Sequence, residues 1–246
     1  MQWQHIPVVK AVAWIADADA AADATRAGRG LLEISSGAPD VSYVEPMTRR
    51  RLSPLARAVL HCAGRCQTAA GDIRIVAASR HGEVGRTLEQ LEDIASGNEL
   101  SPTAFSLSVH NATAGILSIV RRNRAPVNAV AAGEETFAWG LLDAYATLAS
   151  APEQPVLFLY GDDRLPDALS EFEPAPDGLH AIGLMLGRDA RHSLRIRTNA
   201  SAGDATRRSL PGTFMASPSG GRWAGQRAMQ WEWHWVDHRD TAAHAH

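Results

Sequence analysis

The segment VNAVAAGEETFAWGLLDAYATL (residues 127–148) decides the fold. Val127 to Ala132 is apolar, enters through Pro126 and reads as a strand. Phe137, Leu141, Ala144, Tyr145 and Leu148 then recur at helical spacing, with Glu134 and Glu135 in the first turn. Working outward, VLFLY (156–160) and DIRIVAA (72–78) are short apolar runs of the kind that form strands buried on both faces. Ser53-Pro54 is an N-cap and first-turn pair, and Leu52, Leu55, Ala56, Val59, Leu60 and Ala63 continue it as a helix over about 53–68. Val84, Leu88, Leu91 and Ala95 mark a helix stopped near Gly97. Residues 98–108 read as a loop. Val109, Ala112, Ile116, Leu117 and Val120 give another helix, whose other face carries the small residues Ala114, Gly115 and Ser118.

Helices alternating with apolar strands predict an α/β layered core, at least partly parallel. Downstream the pattern changes. Residues 180–186 and 193–198 read as two strands, residues 200–230 are rich in Gly, Ser and Pro, and WEWHW (231–235) alternates like a strand before a frayed HRDTAAHAH tail. Residues 1–45 yield only an apolar stretch around Val8 to Ile15 and an Ala/Asp-rich segment.

Composition narrows the function. The chain has 246 residues, 45% hydrophobic and 21% charged, which suits an ordinary globular domain. A net charge of -3, with no dense basic stripe beyond Arg49 to Arg51, argues against nucleic acid. No apolar run reaches the ~18 residues of a membrane span. The N-terminus lacks the pattern of a signal peptide, so residence in the cytoplasm is the expectation. No cofactor is expected. His61, Cys62 and Cys66 are the only conceivable metal set, and zinc would need a fourth ligand that the sequence does not offer, so no metal site is expected. Nucleotide-binding glycine loops and the Gly-x-Ser-x-Gly elbow are absent.

Two segments, SPTAFSLSVHNATAGILSIVRR (101–122) and residues 127–148, resemble β-ketoacyl synthases of the thiolase superfamily. The first matches a loop followed by a helix rich in Asn, Ala and Gly. The second matches the strand, tight turn and helix that carry the nucleophilic cysteine in those enzymes. The resemblance places that cysteine at Ala132 or Gly133, neither of which can attack a thioester. It implies a thiolase-like α-β-α domain over residues 1–246, with its best-supported core at 50–160, corresponding to the N-terminal half of a ketosynthase plus extra strands. A ketosynthase-like chain of this length without its nucleophile is similar to the chain length factors of bacterial aryl polyene clusters.

That resemblance implies a non-catalytic subunit with a full-length ketosynthase as heterodimer partner, and with an acyl carrier protein reached directly or through that partner. It places Val127, Asn128, Ala129, Val130 and Ala131 at the partner interface. It makes Phe105, Leu107, Val109, Thr113 and Phe137 candidates for the wall of an acyl tunnel. Two other readings stand beside it. One is a stand-alone thioester decarboxylase or hydrolase using Glu134, Glu135 or His110. The other is a homodimeric module that binds acyl chains or carrier protein.

Overall fold

The computed structural model describes residues 2–28, 30–66, 71–173, 177–199, 209–217, 219–224 and 229–237. The expected HRDTAAHAH tail lies outside these residues.

The longest strand is β1 (Gln4–Ile15), in the region whose sequence was hardest to read. A twelve-residue strand can serve two neighbours, and β1 does. Val8 to Ile15 pairs antiparallel with β6 (His180–Leu186), and Gln4 to Val8 pairs antiparallel with β7 (His192–Asn199). β6 and β7 lie on opposite edges of β1, and Val8 pairs with both. A register shift between Val8 and Lys10 interrupts the β6 pairing, an irregularity that bends a strand.

The remaining strands extend the sheet on both sides. β3 (Arg74–Ala78) lies parallel between β4 (Val127–Val130) and β5 (Val156–Asp162), and β5 pairs antiparallel with β6. On the other side β7 pairs with β9 (Gln230–Asp237), and β9 with β8 (Gly220–Ala224). β2 (Glu33–Ser35) runs parallel to the end of β1. The order across the sheet is β4-β3-β5-β6-β1-β7-β9-β8, so β4 is an edge. The parallel pairings are those of β4, β3 and β5 and of β2 with β1, as the partly parallel expectation required.

Helices cover both faces. On one, α1 (Ala18–Gly28), α7 (Thr136–Ser150) and α8 (Leu210–Ala216) bury Phe137, Leu141, Phe158, Ile182, Phe214, Trp231 and Trp233 in one core. On the other, α3 (Pro54–Cys66) and α6 (Ala112–Arg121) bury Val12, Leu60, Ile75, Leu117 and Leu159 in a second. Short α2 (Pro46–Arg50) leads into α3, and α4 (Val84–Ala95) and α5 (Pro102–Ser108) lie between β3 and α6. The layered α-β-α architecture is therefore present.

One sequence expectation changes, and two segments that the sequence left without elements receive them. The stretch read as a loop at 98–108 contains α5. Ser101 caps it by accepting from Ala104 N, and Pro102 takes the first turn, the same device as Ser53-Pro54. Residues 1–45 supply the centre of the sheet. Residues 200–230 contain α8 and β8 in their described part. Among the described residues no single helix is long and apolar enough to cross a membrane.

The packing of α7 on the parallel strands is close because Gly140 has no side chain. A Cβ there would meet Ala78 Cβ at 2.7 Å and the Phe158 ring at 3.0 Å. Gly140→Ala should therefore cost roughly 1–3 kcal/mol through overpacking, read as a lower urea midpoint with an unchanged slope.

Candidate functional site

In sheets with parallel strands, sites form outside the carboxyl ends of those strands. Here those ends are Val130 to Ala132, Ala78 to Gly82 and Tyr160 to Asp162. Asp162 organises them. Its carboxylate is buried and accepts from Ser79 Oγ at 2.7 Å, Arg80 N at 3.0 Å, His81 N at 3.1 Å and the Tyr160 hydroxyl. Ser79 Oγ in turn accepts from Gly82 N at 2.7 Å, which closes the turn after β3. Burial, and then the Asp162 charge, drive the Tyr160 phenol well above its ordinary pKa, so it stays a donor. Burial lowers the His81 pKa while the Asp162 carboxylate opposes that shift. In sequence Asp162 and Asp163 are adjacent carboxylates at the loop that ends the VLFLY strand. Apart from Tyr160, the partners of Asp162 lie about eighty positions away, and no local pattern reveals them.

His110 closes the other side. Its Nε2–H donates to Ser79 O at 2.7 Å, and its ring lies against Gly82, whose φ of 56° accommodates it. Between His110, Ser79 and α3 lies a mostly apolar cavity of about 30 Å³, lined by Leu55, Val59, Thr113, Ala114 and Leu159 among others. A depression of about 470 Å³ adjoins it, sharing Leu55, Gly82 and Glu83. Glu83 stands where the two meet. Ser53 Oγ donates to it at 2.7 Å and Arg86 lies at 3.2 Å, while burial raises its pKa.

The tunnel-wall candidates separate. Thr113 lines the cavity, and Leu107 lies with Thr113, Ala112 and Ile116 in a small adjoining hollow. Phe105 and Val109 are exposed, at 59% and 39%. Phe137 belongs elsewhere. It is 1% exposed and packs against Phe158, Tyr160 and Phe214 with centroids 5.0–5.7 Å apart, in the core on the opposite face of the sheet. The helical period that marked Phe137 as apolar gives no sign of which layer it enters.

The strand-to-helix elbow exists as geometry. β4 ends at Val130, and a 3₁₀ turn (Gly133–Glu135) leads into α7. Gly133 has φ 58°, a conformation that suits glycine. Thr136 Oγ1 staples the turn, accepting from Ala132 N at 2.8 Å and donating to Gly133 O at 2.7 Å. Ala132 and Gly133 are exposed.

Glu135 is a brace between distant elements. Its carboxylate accepts from Met229 N at 2.8 Å, Trp231 Nε1 at 2.9 Å and Trp139 Nε1 at 3.2 Å, tying the start of α7 to β9. Three donors on one carboxylate fit the structural role better than that of a free acid or base.

His61 is buried. Its Nδ1 accepts from Asp40 N at 2.9 Å and its Nε2 lies 3.0 Å from Ser35 Oγ, while burial lowers its pKa. Cys62 and Cys66 are free and buried against Gly183, and burial pushes the Cys66 thiol up to about 12. Such a thiol is inert at neutral pH. Among the described residues no group of three or more His, Cys, Asp or Glu side chains could hold a metal ion.

The candidate interface strand is an edge. Ile75 N donates to Pro126 O and Ser79 N to Val130 O, so the backbone groups of alternate residues 126, 128 and 130 face β3. Those of Val127 and Ala129 point outward, away from the sheet. Val127 and Val130 tuck their side chains against the two cores, whereas Asn128, Ala129 and Ala131 are exposed.

Comparison with known proteins places this geometry. The family model described as the beta-ketoacyl synthase N-terminal domain matches residues 23–238. A solved ketosynthase (ApeO) in complex with its chain length factor (ApeC) from Xenorhabdus doucetiae contains a chain 26% identical, with a TM-score of 0.66. That match covers 95% of this chain and 97% of the other. A chain of the ishigamide ketosynthase/chain length factor is 13% identical over 79% of this chain and 68% of that one, with a TM-score of 0.59. A beta-ketoacyl synthase from Burkholderia phymatum is 11% identical with a TM-score of 0.53, over 73% of this chain and 55% of that one. The last two likenesses speak for fold alone. No curated protein matches the sequence.

Asp162→Ala should leave buried donors at Ser79, Arg80 and His81 without their acceptor. Unfolding in urea should show a loss of roughly 3 kcal/mol.

Proposed function

Since the chain belongs to the family of β-ketoacyl synthase N-terminal domains, we propose that it is a non-catalytic subunit of the chain-length-factor type. In this reading it forms a heterodimer with a full-length β-ketoacyl synthase, and the pair extends acyl chains held on an acyl carrier protein in aryl polyene biosynthesis. The observation that carries the reading is the nearly coextensive match, 95% against 97%, to a chain of a ketosynthase–chain length factor complex. The two chains have similar lengths, and both have room for about one α/β half.

The role is steric rather than chemical. Ala132 and Gly133 occupy the elbow, where an active synthase would need a thiolate poised at a helix N-terminus, and offer a methyl group and a hydrogen. What remains useful is the surface around the elbow. β4 offers an open edge, and strand edges pair readily with another strand. The partner's equivalent strand would add to Val127 and Ala129 by main-chain hydrogen bonds, continuing one sheet through both subunits. Thr113 and Leu107, close to the cavity behind His110, are then the residues that limit how far a growing acyl chain can reach.

Proline at Ala129 removes the outward N–H and leaves the bonds to β3 in place, a position where edge strands accept it. Ala129→Pro should keep the circular dichroism of the chain but abolish its co-purification with the co-expressed synthase. A complex that survives this change would place the interface elsewhere. Thr113→Trp should fill the cavity and shorten the products of the reconstituted pair. Products of unchanged length from an intact complex would remove Thr113 from the tunnel wall.

A further inference from the structure

The layer of helices on the α3 side of the sheet stops short of β7, β9 and β8. Among the described residues no helix covers that face, which the strand alternation fills with polar side chains. Cross-strand register sets Arg195 opposite His5 and His234, and Arg197 and Arg222 opposite Glu232. Trp3 lies at the centre. The guanidinium of Arg197 sits 4.4 Å from its ring centroid and that of Arg195 5.0 Å, with His234 edge-on at 4.5 Å. The indole thus holds two cations flat beside each other.

The charge on this face is one-sided. Glu232 is the carboxylate at its centre, 8% exposed, and serves both Arg197 and Arg222, at 2.5 Å and 3.0 Å. Two of the three guanidinium groups therefore share one carboxylate. Arg195 Nε is buried without a hydrogen-bond partner. His234 is held below its ordinary pKa, by burial first and then by Arg195, His5 and Arg197. This cationic face belongs to a chain whose net charge is -3.

We propose that the bare face of β7, β9 and β8, centred on Trp3 with Arg195, Arg197 and Arg222, docks an acidic helix of a partner protein. Spacing supports a helix. Arg195 and Arg197 are two residues apart on one face of a strand, about 6.7 Å, and carboxylates at i and i+4 on a helix stand at a similar pitch, about 6 Å. Tryptophan and arginine are also the residues that anchor protein interfaces. A polyphosphate backbone would call for a denser run of basic residues than this chain carries. The surface is distinct from the β4 edge, at the opposite end of the sheet, so it stands or falls independently of the heterodimer reading.

The test is fluorescence anisotropy of the full chain with a labelled helical peptide of four Glu-Ala-Ala-Ala repeats. A Lys-Ala-Ala-Ala peptide of the same length, a 20-base-pair DNA duplex and phosphatidylglycerol vesicles serve as contrasting probes. The acidic peptide should bind in low salt at least tenfold more tightly than the other probes, and weaken as salt rises. The double variant Arg195→Gln, Arg222→Gln leaves the Arg197–Glu232 pair in place, sets no carboxylate opposite Glu232 and should lose at least tenfold in affinity with its circular dichroism unchanged. Trp3→Ala provides a second, uncharged lesion with the same expected loss. Acidic-peptide binding no stronger than that of the basic peptide, or unchanged in both variants, would overturn the proposal. Tighter binding to the DNA or the vesicles would overturn it in favour of a phosphate surface. Self-association in analytical ultracentrifugation that the double variant abolishes would overturn it in favour of a second copy of this chain.

Discussion

Everything in this domain hangs on the pairing of β1 with two strands from the far end of the chain. β6 pairs with Val8 to Ile15 along one edge of β1, across the irregularity between Val8 and Lys10, and β7 with Gln4 to Val8 along the other. Through β6 the strand is joined to the parallel trio β5, β3 and β4, and through β7 to the antiparallel β9 and β8. The two helical layers then have a continuous floor. Ile6, Val8, Ala13 and Ile15 face one core while Val12 and Trp14 face the other, so the same strand contributes to both.

How much of this could be read from sequence follows from how far each signal reaches. The parallel unit was legible because its strands are short, mostly apolar and separated by helices with clear periods. Val156 to Asp162 is buried at every position, as a strand between two helical layers must be. β1 escaped because its burial alternates unevenly and its partners lie far downstream. α5 is a different case. Its Ser101-Pro102 start repeats the signature that located α3, but seven residues with an exposed Phe105 show no apolar stripe to confirm it.

The site was legible in outline only. Thr113, His110 and the Ala132-Gly133 turn fall in segments marked by family resemblance, and all three stand near the carboxyl ends of the parallel strands. What the residues that hold that region in shape bond to carries no such mark. Asp162 collects donors from the turn after β3, and Glu135 reaches Trp231 nearly a hundred positions away. Phe137 and Thr113 looked equivalent as apolar or small residues near the elbow, yet the sheet lies between the layers they enter. A polar residue whose partners are remote, or an apolar one whose layer is undecided, is fixed by topology, and topology is set by β1.

The placement of β1 has a consequence for how the protein is made. Ile15 meets His180, and Val8 meets His192, so the ribosome must emit the whole intervening chain before the first strand finds either neighbour. At ordinary elongation rates that wait lasts roughly 8–33 seconds. During it the edge of β1 that β6 will take, and the part of the other edge that β7 will take, stand open. The domain cannot close vectorially from β1 onward. It has to keep that strand from pairing with the wrong chain until β6 and β7 arrive.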